Sequence, residues 1–235
     1  MNVLIGCEFS GVVRRAFRAA GHNAWSCDLL PAADDEKWHL QCDVRAAIEQ
    51  PPFGEQWDLG IFHPTCTYLC NSGVWALKRV PPNPSPGVLY GDARMRAVEE
   101  GAKFFCELLD APIPRVAVEN PVMHKYARAI IGRKYQQIIQ PNQFGDDASK
   151  ATCLWLKRLP PLMPTRIVPP RMVNGKPRWG NQTDGGQNKL TPSDDRWAKR
   201  SETYPGIADA MADQWSRFCD DVARGRVADA RREVH

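Results

Sequence analysis

Asn2-Val3-Leu4-Ile5-Gly6-Cys7-Glu8-Phe9-Ser10-Gly11-Val12-Val13-Arg14-Arg15-Ala16-Phe17 passes from an unbroken apolar run into a helical repeat. Val3 to Cys7 shows no polar alternation, the pattern of a strand buried on both faces. Val12, Val13, Ala16, Phe17 and Ala20 then recur at helical spacing. Ser10 suits an N-cap and Gly21 the position just past the C-terminus, so the helix is bounded at both ends. A buried strand feeding a helix through a short turn is the opening of a parallel βαβ unit.

The same alternation continues outward. Ala24-Trp25-Ser26-Cys27-Asp28 reads as a second strand, residues 38–43 as a third, and Trp57-Asp58-Leu59-Gly60-Ile61-Phe62 as a fourth that stops at His63-Pro64. The proline-rich residues 80–87 are loop. Met95, Val98, Ala102, Phe105 and Leu109 make one face of a long helix. Val116-Ala117-Val118 is a strand ending at Glu119-Asn120-Pro121, and residues 138–139 and 153–156 are two more. Prolines, glycines and amides dominate residues 160–192, and the Gly-rich stretch 179–188 is expected to be flexible until a ligand orders it. A last helix runs from about Pro205 to Arg224, with Ile207, Met211, Trp215 and Phe218 on one face. The fold class is therefore α/β, a mostly parallel sheet flanked by helices. Residues 1–156 form the main domain, 157–200 a small irregular segment, and 201–235 a C-terminal helix packing back.

A chain of 235 residues with 43% hydrophobic and 25% charged residues is an ordinary folded protein. It has no apolar stretch of membrane-spanning length. Its N-terminus lacks the basic region of a signal peptide. A cytoplasmic monomer is expected, with no membrane partner. Eight cysteines include no Cys-x-x-Cys pair, and Cys66-x-x-x-Cys70 lacks a second ligand pair, so no metal is expected. The net charge of +4 is unevenly spread: residues 157–200 hold ten Lys/Arg against three Asp, leaving the remainder near −3. A basic segment on a slightly acidic body is the footprint of a polyanion partner.

Ligands of open α/β sheets bind beyond the carboxyl ends of the strands. Glu8-Phe9-Ser10-Gly11, Asp28, Asp43, the Cys66 segment and Glu119-Asn120-Pro121 all fall there. The first turn is not Gly-x-Gly-x-x-Gly, which argues against a dinucleotide pyrophosphate. An adenosyl ligand without phosphates fits better: close backbone approach at Gly11, ribose hydroxyls on Asp28, the adenine amino group at Asp43. Cys66 follows a strand and a proline in a turn, where helix N-termini or basic groups would lower its thiol pKa. Glu119, pressed against apolar surroundings, is expected to have a raised pKa and to donate a proton.

In this order the motifs resemble those of the DNA cytosine-5 methyltransferases, especially the short, phage-encoded kind, over most of residues 3–155 plus the C-terminal helix. Phe9-Ser10-Gly11 is similar to the family's Phe-x-Gly motif, and Asp28 and Asp43 stand where acidic residues hold ribose and adenine. His63-Pro64-Thr65-Cys66, continuing to Ser72-Gly73, resembles the Pro-Pro-Cys loop, with Thr65 in place of a proline. Glu119-Asn120-Pro121 corresponds to Glu-Asn-Val. The Gln-x-Arg-x-Arg motif is absent, with Lys150-Ala151-Thr152 as its nearest substitute, and the last motif's asparagine is missing near Tyr204.

The resemblance implies a Rossmann-like fold that uses S-adenosylmethionine and releases S-adenosylhomocysteine. Cys66, Glu119 and Lys150 would be catalytic, and Phe9, Ser10, Gly11, Asp28, Asp43 and Pro64 would line the cofactor. Ser72, Asn120, Thr152, Arg178 and Trp179 would meet double-stranded DNA, with Trp197 also in the DNA-reading segment. Three other readings stay open: an RNA (tRNA) cytosine-5 methyltransferase, a catalytically silent DNA-binding relative, and a cysteine hydrolase pairing His63 with Cys66.

Overall fold

The computed structural model describes residues 1–191, 193 and 196–228. The Trp197 side chain and residues 229–235 of the C-terminal segment lie outside that description.

The chain runs β1 (Asn2–Gly6), α1 (Val12–Ala19), β2 (Asn23–Asp28), β3 (His39–Gln41), α2 (Val44–Glu49), β4 (Leu59–Phe62) and α3 (Gly91–Leu109). It continues through β5 (Arg115–Pro121), α4 (Lys125–Ile131), β6 (Gln137–Ile139), β7 (Thr152–Lys157), β8 (Arg171–Val173), β9 (Lys176–Arg178), α5 (Arg196–Ser201) and α6 (Pro205–Ala223). Seven strands form one sheet in the order β3-β2-β1-β4-β5-β7-β6. Pairings are parallel from β3 to β5, and β7 alone is reversed, antiparallel to both β5 and β6. This is a Rossmann-like α/β fold, a mostly parallel sheet flanked by helices.

Strand periodicity divides the core. On β1, Val3 and Ile5 face a cluster with Val13 and Phe17 of α1 and Ile207, Met211 and Trp215 of α6. Leu4 faces the opposite cluster, with Val98, Ala102 and Phe105 of α3. From Val3 to Gly6, β1 is thus apolar because both faces are covered. Trp215 is fully buried and its indole N–H donates to Pro160 O at 3.0 Å, tying α6 to the chain just after β7. No helix among the described residues is long and apolar enough to cross a membrane.

The short helices α2, α4 and α5 escape the sequence reading. α2 has only Asp43 as its start signal, and α4 starts at His124, whose Nδ1 accepts the Ala127 N–H at 3.1 Å. The Gly-rich stretch is not a free loop. Thr183 N–H donates to Gln187 O at 2.8 Å and Arg171 pairs with Asp184 at 2.6 Å, tying the stretch to β8.

Candidate active site

At the end of β1 the chain turns sharply through Cys7 (φ 59°) into Glu8, which is buried. The Glu8 carboxylate accepts the Val13 N–H at 2.7 Å and the Arg14 N–H at 3.3 Å, satisfying amides at the start of α1. Ser10, expected as the cap, accepts the Val12 N–H and donates its hydroxyl to Glu8 Oε1, each at 3.5 Å, and so shares the helix start with Glu8. Gly11 holds the capping position in a left-handed conformation (φ 68°) with no side-chain bond. Burial raises the Glu8 pKa; the His63 and Arg14 charges and the two amide bonds oppose this without reversing it.

Residues 29–35 fold over this turn. Ala33 N–H donates to the carbonyl of half-buried Phe9 at 2.9 Å, and Asp34 pairs with Arg14 and Arg15. A Cβ on Gly11 would stand 2.7 Å from an Asp34 carboxylate oxygen. The close approach expected there from a ligand is therefore made by Asp34. Asp28 accepts the Leu30 N–H at 3.0 Å beside exposed Leu29 and Leu30. Asp43 caps α2 through the Arg45 N–H at 2.8 Å and pairs with the Arg45 guanidinium at 3.2 Å, so an adenine amino group there would share an oxygen already engaged.

The Cys66 segment is stitched to the strand beside it. Asn120 Nδ2 donates to Pro64 O at 3.0 Å, His124 N–H to Leu69 O at 2.9 Å, His124 Nε2 meets Tyr68 O at 2.8 Å, and Asn71 Nδ2 donates to Val122 O at 3.2 Å. Cys70 N–H closes onto Cys66 O at 3.0 Å, a single helical turn that sets the two cysteines on one side. Contrary to expectation, the Cys66 thiol is pushed up: its hydrogen bond to Cys70, burial and the Glu119 charge outweigh Lys150. Cys70 is the sulfur pulled down, to about 6, by the hydrogen bond from Cys66, against burial and helped by the Ser72 N–H and the Arg200 charge. Ser72 is exposed and acts here through its backbone; Thr65 is exposed, its hydroxyl 3.2 Å from that of Thr67.

Glu119 lies within β5, not past its end, and its side chain is 11% exposed. His63 Nδ1 stands 2.9 Å from Glu119 Oε2, so the imidazole serves the carboxylate. Burial alone would raise Glu119, as expected from its apolar strand. The hydrogen bond from His63, the Lys150 and His63 charges and the Thr152 hydroxyl together bring it below its ordinary value. Lys150 Nζ also donates to Arg200 O at 3.0 Å and Glu202 O at 3.3 Å, binding α5 to this corner. Glu119, Lys150 and Thr152 line one small recess with Thr203, Tyr204 and Ile207. Thr203 and Tyr204 are shared with an adjoining cavity of about 430 Å³ that Asn181, Lys189 and Lys199 also line.

Arg178 and Trp179 lie on the β8–β9 lobe and serve its structure: Arg178 Nε donates to Asp184 O at 3.1 Å and the Trp179 indole to Val168 O at 3.1 Å. The lobe reaches the site through Asn181, which bonds both backbone groups of Ser149 at 3.0 Å and the Tyr204 hydroxyl at 3.3 Å. Thus Cys66, Pro64, Asn120, Glu119, Lys150 and Thr152 are brought together, Phe9, Ser10, Gly11, Asp28 and Asp43 line the ends of β1 to β3, and Arg178 and Trp179 stand apart. The roles of Glu8, His63, Cys70 and Tyr204 had no local signal beyond position at strand or helix ends.

No protein-family model matches the chain, and neither does any curated relative. Among solved structures it is similar to an Escherichia coli protein described as a DNA modification methyltransferase encoded within a prophage. That match has 15% identity and a TM-score of 0.45, and covers 74% of this chain and 53% of that one. It is also similar to the Schizosaccharomyces pombe Dnmt2 methyltransferase, with 17% identity and a TM-score of 0.36, covering 66% of this chain and 48% of that one. The chain spans about half the length of these structures.

Proposed function

We propose that this chain is a DNA cytosine-5 methyltransferase that uses S-adenosylmethionine. The observation that carries the reading is the Asn120–Pro64 hydrogen bond, which joins the Cys66 loop to the strand holding Glu119 and sets a thiol and a carboxyl around one space. Cytosine C5 is too weak a nucleophile to accept a methyl group directly. Adding a thiolate at C6 converts the ring to an enamine, and a proton at N3 stabilises it. Cys66 is the attacking sulfur and adds as the thiolate, its proton having been lost to solvent. Glu119 meets the N3 and amino edge of the base. Once C5 carries the methyl group, its proton is lost to a base, the C6–S bond breaks and Cys66 leaves.

The cofactor suits what the chain offers at the ends of β1 to β3: the Asp28 carboxylate for ribose hydroxyls and exposed Leu29 and Leu30 for an apolar ring. When bound it supplies a methyl group on a sulfonium sulfur. A base inside a duplex is unreachable, so the target must be flipped out. The basic residues 157–200, carrying the β8–β9 lobe, are assigned to double-stranded DNA, with Lys150 at the junction of lobe and sheet.

Trapping with a 5-fluorocytosine duplex pool tests the reading. A cofactor-dependent covalent protein–DNA adduct that disappears in Cys66→Ser is expected, and its absence across the pool would sink the assignment. Running tRNA beside duplex DNA with labelled cofactor identifies the nucleic acid; transfer to tRNA alone would move the substrate to RNA.

A further inference from the structure

His63 is unused by the mechanism above, yet it is among the most enclosed polar groups of the site. Its side chain is 8% exposed, Nδ1 stands 2.9 Å from Glu119 Oε2, and its backbone N–H is held by Gly6 O at 3.0 Å. Its other ring nitrogen, Nε2, is buried without a hydrogen-bond partner. The charged groups acting on this ring come from two elements, Glu119 on β5 and Glu8 in the β1–α1 turn, while Lys150, leading into β7, acts on Glu119. The proposed reaction asks Glu119 to deliver a proton to N3. A carboxyl beside an ammonium and two hydrogen-bond donors is held in its ionised form, which accepts and does not give. The nearest transferable proton in a fixed geometry is the one on Nδ1.

We propose that His63 is a positioning residue that supplies Glu119 with the proton it passes to the base. This deepens the cytosine-5 reading and rests on it. The step requires a ring that carries a proton on both nitrogens: the Nδ1–H bond breaks as an O–H bond forms on the Glu119 carboxyl, leaving the neutral ring. That O–H bond then breaks as N–H forms at N3 of the ring being attacked at C6. When Cys66 leaves, N3 returns the proton to Glu119 and thence to Nδ1, so no proton is consumed by the relay.

His63→Asn separates this role from simpler ones. Asparagine keeps an N–H donor near the place of Nδ1 and can orient the carboxyl, but it gives up no proton. The expected result is adduct formation at pH 7.5 slowed about 100-fold, with cofactor affinity and KM for DNA held within a few-fold. The deficit against wild type should narrow as pH falls, because Glu119 then takes its proton from solvent. Wild-type rates in His63→Asn would overturn the relay and leave the ring as an orienting group. A deficit of the same size at every pH would overturn it too, marking a structural role. Should His63→Asn fail to fold, His63→Gln carries the same comparison. If wild-type protein forms no adduct at all, the cytosine-5 reading has failed; if it does and His63→Asn matches it, only the relay has.

Discussion

Glu8, just past β1, and Glu119, within β5, are both buried, and both feel the same imidazole, yet their acidities move in opposite directions. Glu8 is raised and Glu119 is lowered. Burial favours the neutral form of each. The difference lies in what faces them: two backbone amides and a serine hydroxyl on Glu8, against a directly bonded imidazole, an ammonium and a hydroxyl on Glu119. In a dry pocket the directed bonds and nearby formal charges decide the sign, and those partners separate a group that builds the fold from one equipped for chemistry.

The sharpest way to break this comparison is Glu119→Gln. It should slow adduct formation by about 10² to 10⁴-fold while cofactor affinity stays close to wild type, read by trapping kinetics and calorimetric titration. Loss of cofactor binding instead would mean that Glu119 belongs to the other region.

Glu8→Ala is next. It strips α1 of its cap and leaves amide donors unmet, so unfolding in urea should show a loss of about 1–3 kcal/mol. A stable Glu8→Ala protein would show that the cap is replaceable.

The smallest effect is in the pH dependence of stability. A carboxyl lowered in the fold contributes stability above its unfolded value of about 4.5, lost as pH falls through the lower folded value. A raised carboxyl does the reverse: its contribution is complete below about 4.5 and is lost as pH rises through the higher folded value. Relative to wild type, Glu119→Gln should therefore flatten the acid side of the stability profile. Glu8→Gln should flatten the loss above pH 4.5. Identical profiles for the two variants would show that the contrast between them is not real.

Much of the sheet was legible because its central strands carry short apolar runs that stop at a polar residue. β1, β2 and β4 follow that rule, and Asp28 and the His63-Pro64 stop lie where the strands end. Local signals failed where a distant partner wins. Ser10 meets only the Val12 N–H, and the left-handed Gly11 lets Glu8, not visible as a cap in the sequence, take the next two amides. The apolar neighbours of Glu119 are visible along the chain, whereas the imidazole bonded to it comes from 56 positions away. The order in residues 179–188 likewise comes from Arg171 and from Ser149, outside the stretch itself. In the Cys66 segment, four residues suffice to bring Cys70 onto the same turn, a spacing that reads as a failed metal motif until the backbone is seen.

The stitching of the Cys66 loop to residues 120–124 has a kinetic consequence. A nucleophile whose carrier is already immobilised has no search of its own to complete, so its rotational and translational entropy is spent during folding, once, and not at every turnover. On the proposed function, the slow coordinate is thereby moved to the nucleic acid. Turnover would track how readily a base leaves its stack, and a mismatched or unpaired target should react sooner than one in a stable helix.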